Sequence, residues 1–123
     1  MPDEASCRFT TRAVRRIGVV EIVGALNDNA IPGFRDAIAT ATALAGSFRV
    51  LVVSGEVTEI SERAALVVVA ECTTLRAKGG NAAWVSPDGR INRPESIAAE
   101  TLYMTVYGDL ETALELFEAE DVP

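Results

Sequence analysis

The run Val50-Leu51-Val52-Val53, followed after a charged turn by a helical pattern from Ala64 to Ala77, most restricts what this chain can become. A short segment apolar at every position belongs to a strand covered on both faces, the situation of a central strand in a parallel sheet. The strand is expected over Arg49–Ser54. The helix that follows has Ser61 as its N-cap, Ala65, Val68, Val69, Cys72 and Leu75 inward, and Gly79-Gly80 as its stop. Its valines are modest helix formers, so burial must hold it. The junction between strand and helix, Val57 to Ala64, is the expected functional corner. A loop feeding a helix N-terminus collects free N–H groups and positive dipole, which suits an anion or a partner's acidic group.

The rest of the pattern extends the same architecture. Two strands, Arg8–Val14 and Ile17–Val23, flank a tight turn at Arg15-Arg16, and Gly24 is read as the end of the second. Asn27-Asp28-Asn29 offers three N-caps for a helix over Ile31–Ala45. Its inward stripe is Phe34, Ala37, Ile38, Ala41 and Leu44, and Gly46 closes it. Ala82–Val85 reads as a strand with Trp84 as a core or sheet-face anchor. Ser86–Arg90 is a turn, and Pro94 opens a helix over Glu95 to about Leu102. Thr105–Tyr107 is a last strand, and Asp109 caps a final helix with Leu110, Ala113, Leu114 and Phe117 on one side. Alternation after an opening hairpin predicts an α/β fold with a mixed, mostly parallel sheet of about five strands and four helices. Residues 1–7 are expected as a flexible leader, 8–119 as the domain and 120–123 as a tail.

Composition narrows the function. With 123 residues, 49% hydrophobic but only 6% aromatic, the chain supports one core of small and branched side chains. No apolar run approaches the roughly 20 residues that span a bilayer, and the acidic Met1-Pro2-Asp3-Glu4 is unlike a secretory signal. A cytoplasmic location without membrane attachment is expected. A net charge of −7 argues against nucleic acid, whose phosphates demand clustered cations. The cluster Arg8, Arg12, Arg15 and Arg16 reads as charge guarding an edge strand. Cys7 and Cys72 are too few for a disulfide framework or a zinc site; Cys72 reads as a small core residue and Cys7 as part of the leader.

Catalytic chemistry is sparse. The chain has no histidine and no glycine-rich phosphate loop. Glu56, Glu59 and Glu62 crowd the functional corner without the spacing of a calcium loop, so no metal, no cofactor and no enzymatic activity are expected.

Three segments carry a family resemblance. Gly24-Ala25-Leu26-Asn27 is similar to a Gly-Glu-Leu-Asp turn before a helix. Val50–Val53 through Val57-Thr58-Glu59-Ile60 is similar to the strand and loop before an Asp-Ser-Ser-Gly motif. Tyr107-Gly108-Asp109-Leu110-Glu111-Thr112-Ala113-Leu114 is similar to a closing strand and helix start. In this order they resemble the STAS domain, the fold of bacterial anti-sigma-factor antagonists, over roughly Phe9 to Phe117. The resemblance implies a protein-binding regulator of sigma-factor or stress-response signalling. Its partner would be an anti-sigma factor that is also a serine kinase, or a related STAS-pathway protein. In the family, that kinase phosphorylates the second serine of the motif and breaks the complex, adding about −1.5 to −2 charges to a packed interface.

Carried over, the motif's aspartate falls on Ser61, its first serine on Glu62, its phosphorylated serine on Arg63 and its glycine on Ala64. The acceptor hydroxyl is gone, and Asn27 stands for the aspartate of the early turn. Two compatible readings make Ser61 an N-cap with Glu62 favourable to the dipole, and Glu62-Arg63 a fixed charged surface for a partner. Arg63 has the wrong sign for a first turn, which a carboxylate such as Glu59 could offset. A third reading makes Ser61 a displaced phosphoacceptor, its hydroxyl turned away from the usual position. The expected contact set is Asn27, Asp28, Glu59, Ser61, Glu62, Arg63, Ala64 and Val67, on a monomer or weak dimer. The resemblance also admits a self-associating scaffold subunit of a sensory complex, or a domain that senses a nucleotide or small anion at the helix N-terminus.

Overall fold

A computed structural model describes residues 7–85 and 105–120 of the chain. Five strands, β1 (Cys7–Val14), β2 (Ile17–Leu26), β3 (Arg49–Ile60), β4 (Asn81–Val85) and β5 (Thr105–Tyr107), form one sheet in sequence order. β1 and β2 are an antiparallel hairpin, and every later neighbour pair is parallel. Three α-helices are described: α1 (Ile31–Ala45), α2 (Glu62–Ala77) and α3 (Leu110–Glu120). The fold is therefore α/β with the expected opening hairpin and mixed sheet. The expected turn at Ser86–Arg90 and helix over Glu95–Leu102 lie outside the described residues.

The hairpin turns at Arg15 and Arg16, both with positive φ (49° and 68°), so the strands meet at Val14 and Ile17 across a two-residue loop. Such a loop matches the right-handed twist of the strands it joins. β1 begins at Cys7, opposite Gly24, so this residue belongs to the sheet rather than to a leader.

Two strands run further than their sequence suggests. β2 continues through Gly24 to Leu26, and β3 continues from Ser54 to Ile60 across what reads as a loop. The pairing slips twice, between Glu21 and Val23 and between Gly24 and Ala25, and each slip gives β3 one extra residue. These are β-bulges, and Gly24 accommodates the second with φ of 110°, a conformation that costs glycine little. Bulging also changes the side-chain period. Val57 and Ile60, three apart, both reach the same core, while Glu56, Thr58 and Glu59 face water.

Right-handed crossovers that step the same way across a sheet place their helices on one face. α1 and α2 accordingly share a core with Val20, Ile22, Val50, Val52 and Trp84. On α1, Leu44 is exposed where the stripe placed it inward, because the buried stripe continues from Ala41 to Ala45 at a spacing of four. α3 covers the other face, where Ala113 and Phe117 pack on Ile17, Leu51, Ala83 and Val85. Trp84 is fully buried, and Cys72 is a buried free thiol that desolvation pushes up to about 12, so it behaves as a neutral apolar group. Val69, expected inward, is only partly buried against the first core.

Candidate functional site

Beyond Val53 the sheet narrows. β4 pairs with β3 only over Arg49–Val53, so among the described residues the last part of β3 is held by β2 alone. This two-stranded ribbon delivers two chain segments to one corner. From β2 comes the turn Asn27–Ala30, a short 3₁₀ helix over Asp28–Ala30. From β3 comes Ser61 and the first turn of α2. The corner thus stands outside the carboxyl ends of parallel strands, a common place for binding sites in α/β sheets.

Ser61 joins the two segments. Its backbone N–H donates to the Leu26 carbonyl at 3.0 Å, which prolongs the β2–β3 ladder by one step. Its hydroxyl accepts from the Ala64 backbone N–H at 3.1 Å, the N-cap bond expected from sequence. The same hydroxyl donates to Asp28 Oδ1 at 2.6 Å. Its proton and an acceptor lone pair are both engaged. Asn27-Asp28-Asn29 was expected to cap α1, but no side chain caps that helix, because the 3₁₀ turn intervenes; the Asp28 carboxylate turns to Ser61 instead.

The expected site residues divide by accessibility. Asp28, Glu59, Glu62 and Arg63 are exposed, and Asn27, Ser61 and Val67 are half-buried. Ala64 is a correction: it is 1% exposed and packs in the core, as its place at the third helical position beside Ala65 dictates. Leu66, absent from the expected set, is 47% exposed one turn into α2. The signal was available, since Leu66 falls opposite the inward positions Ala65, Val68, Cys72 and Leu75. Arg63 makes no ion pair among the described residues, so the expected offset by Glu59 does not form there.

Other chemistry is not assembled at this corner. Among the described residues no three His, Cys, Asp or Glu side chains stand together as a metal-holding group, Glu56, Glu59 and Glu62 included. A cavity of about 150 Å³ lies between α1 and α2, bordered by Ile38, Leu75 and the Arg35–Glu71 pair (3.6 Å), and none of the expected site residues lines it. No helix among the described residues is long and apolar enough to cross a membrane.

No protein-family model and no curated protein matches the sequence. Solved structures do. A Thermotoga maritima protein assigned as an anti-sigma factor antagonist matches with a TM-score of 0.69 at 20% identity, over 89% of this chain and 94% of its own. An anti-sigma factor antagonist from Mycobacterium paratuberculosis matches with a TM-score of 0.73 at 17% identity, over 96% of this chain and 99% of its own. The chain has the STAS fold. The residues that the sequence resemblance aligns with the Asp-Ser-Ser-Gly motif, Ser61 to Ala64, are the N-cap and first turn of α2.

Proposed function

We propose that this protein is a non-enzymatic STAS binding module, an anti-sigma-factor-antagonist-like regulator of sigma-factor or stress-response signalling in the bacterial cytoplasm. Its docking surface is the Asn27-Asp28 turn, Glu59, Ser61, Glu62, Arg63 and the exposed flank of α2 around Leu66 and Val67. The observation that supports it is the engaged Ser61 hydroxyl beside Arg63. A kinase reaching this corner meets no free acceptor hydroxyl at the motif position. Phosphorylating Ser61 would replace the proton it donates to Asp28 and set a dianion against that carboxylate. The module therefore engages its partner, an anti-sigma factor or a related STAS-pathway protein, without the usual phosphoserine release.

The test is a pulldown with tagged protein against the cell's anti-sigma kinases. Capture is expected, with Arg63→Glu weakening it about tenfold or more, as charge reversal at a docking surface typically does. Absence of capture, or indifference to Arg63→Glu, counts against the surface. Incubation with a captured kinase and ATP, followed by intact-mass measurement, is expected to leave the mass unchanged; a gain of one phosphate overturns the loss of the switch.

A further inference from the structure

The cavity between α1 and α2 is bordered by one stripe from each helix. Arg35, Ile38 and Thr42 stand at i, i+3 and i+7 on α1, while Glu71 and Leu75 on α2 are followed by Lys78 as its C-cap. Residues at these spacings share one side of a helix. The floor is apolar, since Ile38 and Leu75 are buried in the core that the helices form with the sheet. The walls stay apart because Ala39, Thr42 and Thr74 are too short to fill the gap. Both hydroxyls are committed to their own helices. Thr42 Oγ1 donates to the Ala39 carbonyl at 2.9 Å and Thr74 Oγ1 to the Ala70 carbonyl at 3.0 Å, so neither donates to a guest.

Charge is unequal at the two ends of the gap. At one end Arg35 Nε and Glu71 Oε2 stand 3.6 Å apart, a pair that is neutral as a unit. At the other, Lys78 Nζ sits 5.1 Å from the centroid of the exposed Phe48 ring, and Lys78 forms no ion pair among the described residues. The cavity is therefore lined by two cations and one acid, a surplus of one positive charge in a protein of net charge −7.

We propose that this cavity binds a small organic monocarboxylate with a compact apolar body, aromatic or branched. The body rests on Ile38 and Leu75 beside the Phe48 ring, and the carboxylate accepts from Lys78 Nζ. Volume sets the size. At about 150 Å³ the cavity matches one that takes up a single benzene ring, and it is too small for a drug-sized ligand. Charge sets the class. A monoanion neutralises the surplus cation, whereas a phosphate monoester, with about two negative charges, leaves the site anionic. A neutral ring gains the apolar contact alone. Lys78 can pair with a carboxylate and keep its place over Phe48, because an ammonium has three donors. No residue of the Ser61 corner lines the cavity, so this site goes beyond the docking reading above and does not rest on it.

Titration of the ¹⁵N-labelled full chain with benzoate, followed by amide chemical shifts, tests the proposal, with benzamide as the neutral isostere and sulfate as the bare anion. Saturable shifts at Ile38, Thr42, Leu75 and Lys78 are expected, with a Kd of about 1 mM, the order that so small a ligand can reach. Benzamide and sulfate should each bind about fivefold more weakly or worse. K78Q keeps the stem against Phe48 and removes the charge; it should weaken benzoate about fivefold and leave benzamide unchanged. A39L adds a branched side chain at the exposed wall and should abolish saturable binding, while the amide shifts of the sheet stay those of the wild type and so exclude misfolding. No saturable shift up to about 20 mM benzoate, a Kd for benzamide or sulfate equal to that for benzoate, or wild-type benzoate affinity in K78Q or A39L overturns the proposal. So does saturation of these amides by an amidated peptide bearing one Asp but not by benzoate, which would give the cavity to a side chain of a protein partner. None of these outcomes depends on capture of an anti-sigma kinase.

Discussion

From Arg49 to Val53, β3 has a strand on either side and helices over both faces, whereas from Gly55 to Ile60 it pairs with β2 alone among the described residues. After Arg49 the first part is an unbroken apolar run in regular register. The second carries two bulges, spends every exposed position on a charged or polar residue, and keeps only Val57 and Ile60 for the core. One strand thus holds the sheet together and then becomes the arm that carries the Ser61 corner. Regular pairing gives rigidity at the first part, and the bulges set the aim of the second.

Four substitutions sharpen or break that contrast. Leu51→Ala empties a fully buried position between β2, β4 and α3 and should cost about 2–5 kcal/mol in urea unfolding, with the same m-value. Gly24→Val forces a branched side chain to a φ of 110° and should cost about 1–3 kcal/mol. If the second bulge is relaxed in solution, that loss shrinks toward zero. Ser61→Ala removes the α2 cap and the Asp28 contact and should cost about 1 kcal/mol, with faster amide exchange at Ala64 and little change in β4. Thr58→Ala, on the exposed side of the arm, should stay within about 0.5 kcal/mol of wild type. A Thr58 effect as large as that of Leu51 would erase the distinction between the two parts of β3.

Much of this was legible from the chain. The α1 boundaries, its Gly46 stop, the Arg15-Arg16 turn, the Ser61 cap and the two-faced burial around Val50–Val53 are local consequences of side-chain period and capping chemistry. The arm was hidden because period is the signal for a strand, and a bulge destroys period; Val57 and Ile60 stand three apart, which breaks a strand's period of two. Gly24 looked like a terminator for the same reason that it works inside the strand. Asp28 was read as a cap for the helix next to it, whereas its hydrogen bond goes to a hydroxyl thirty-three residues away. Nothing in a local window encodes such a partner. At the corner, the inward turn of Ala64 and the outward turn of Leu66 required the helix to be seated on the sheet.

Strand order matching chain order has a consequence for synthesis on the ribosome. Each new strand can add to an edge already formed by its predecessor, with no insertion between earlier strands. The face bearing Ile17 and Leu51 acquires Ala113 and Phe117 only once α3 has been synthesised. A nascent chain halted before α3 therefore displays a greasy sheet surface to the chaperones waiting at the exit tunnel.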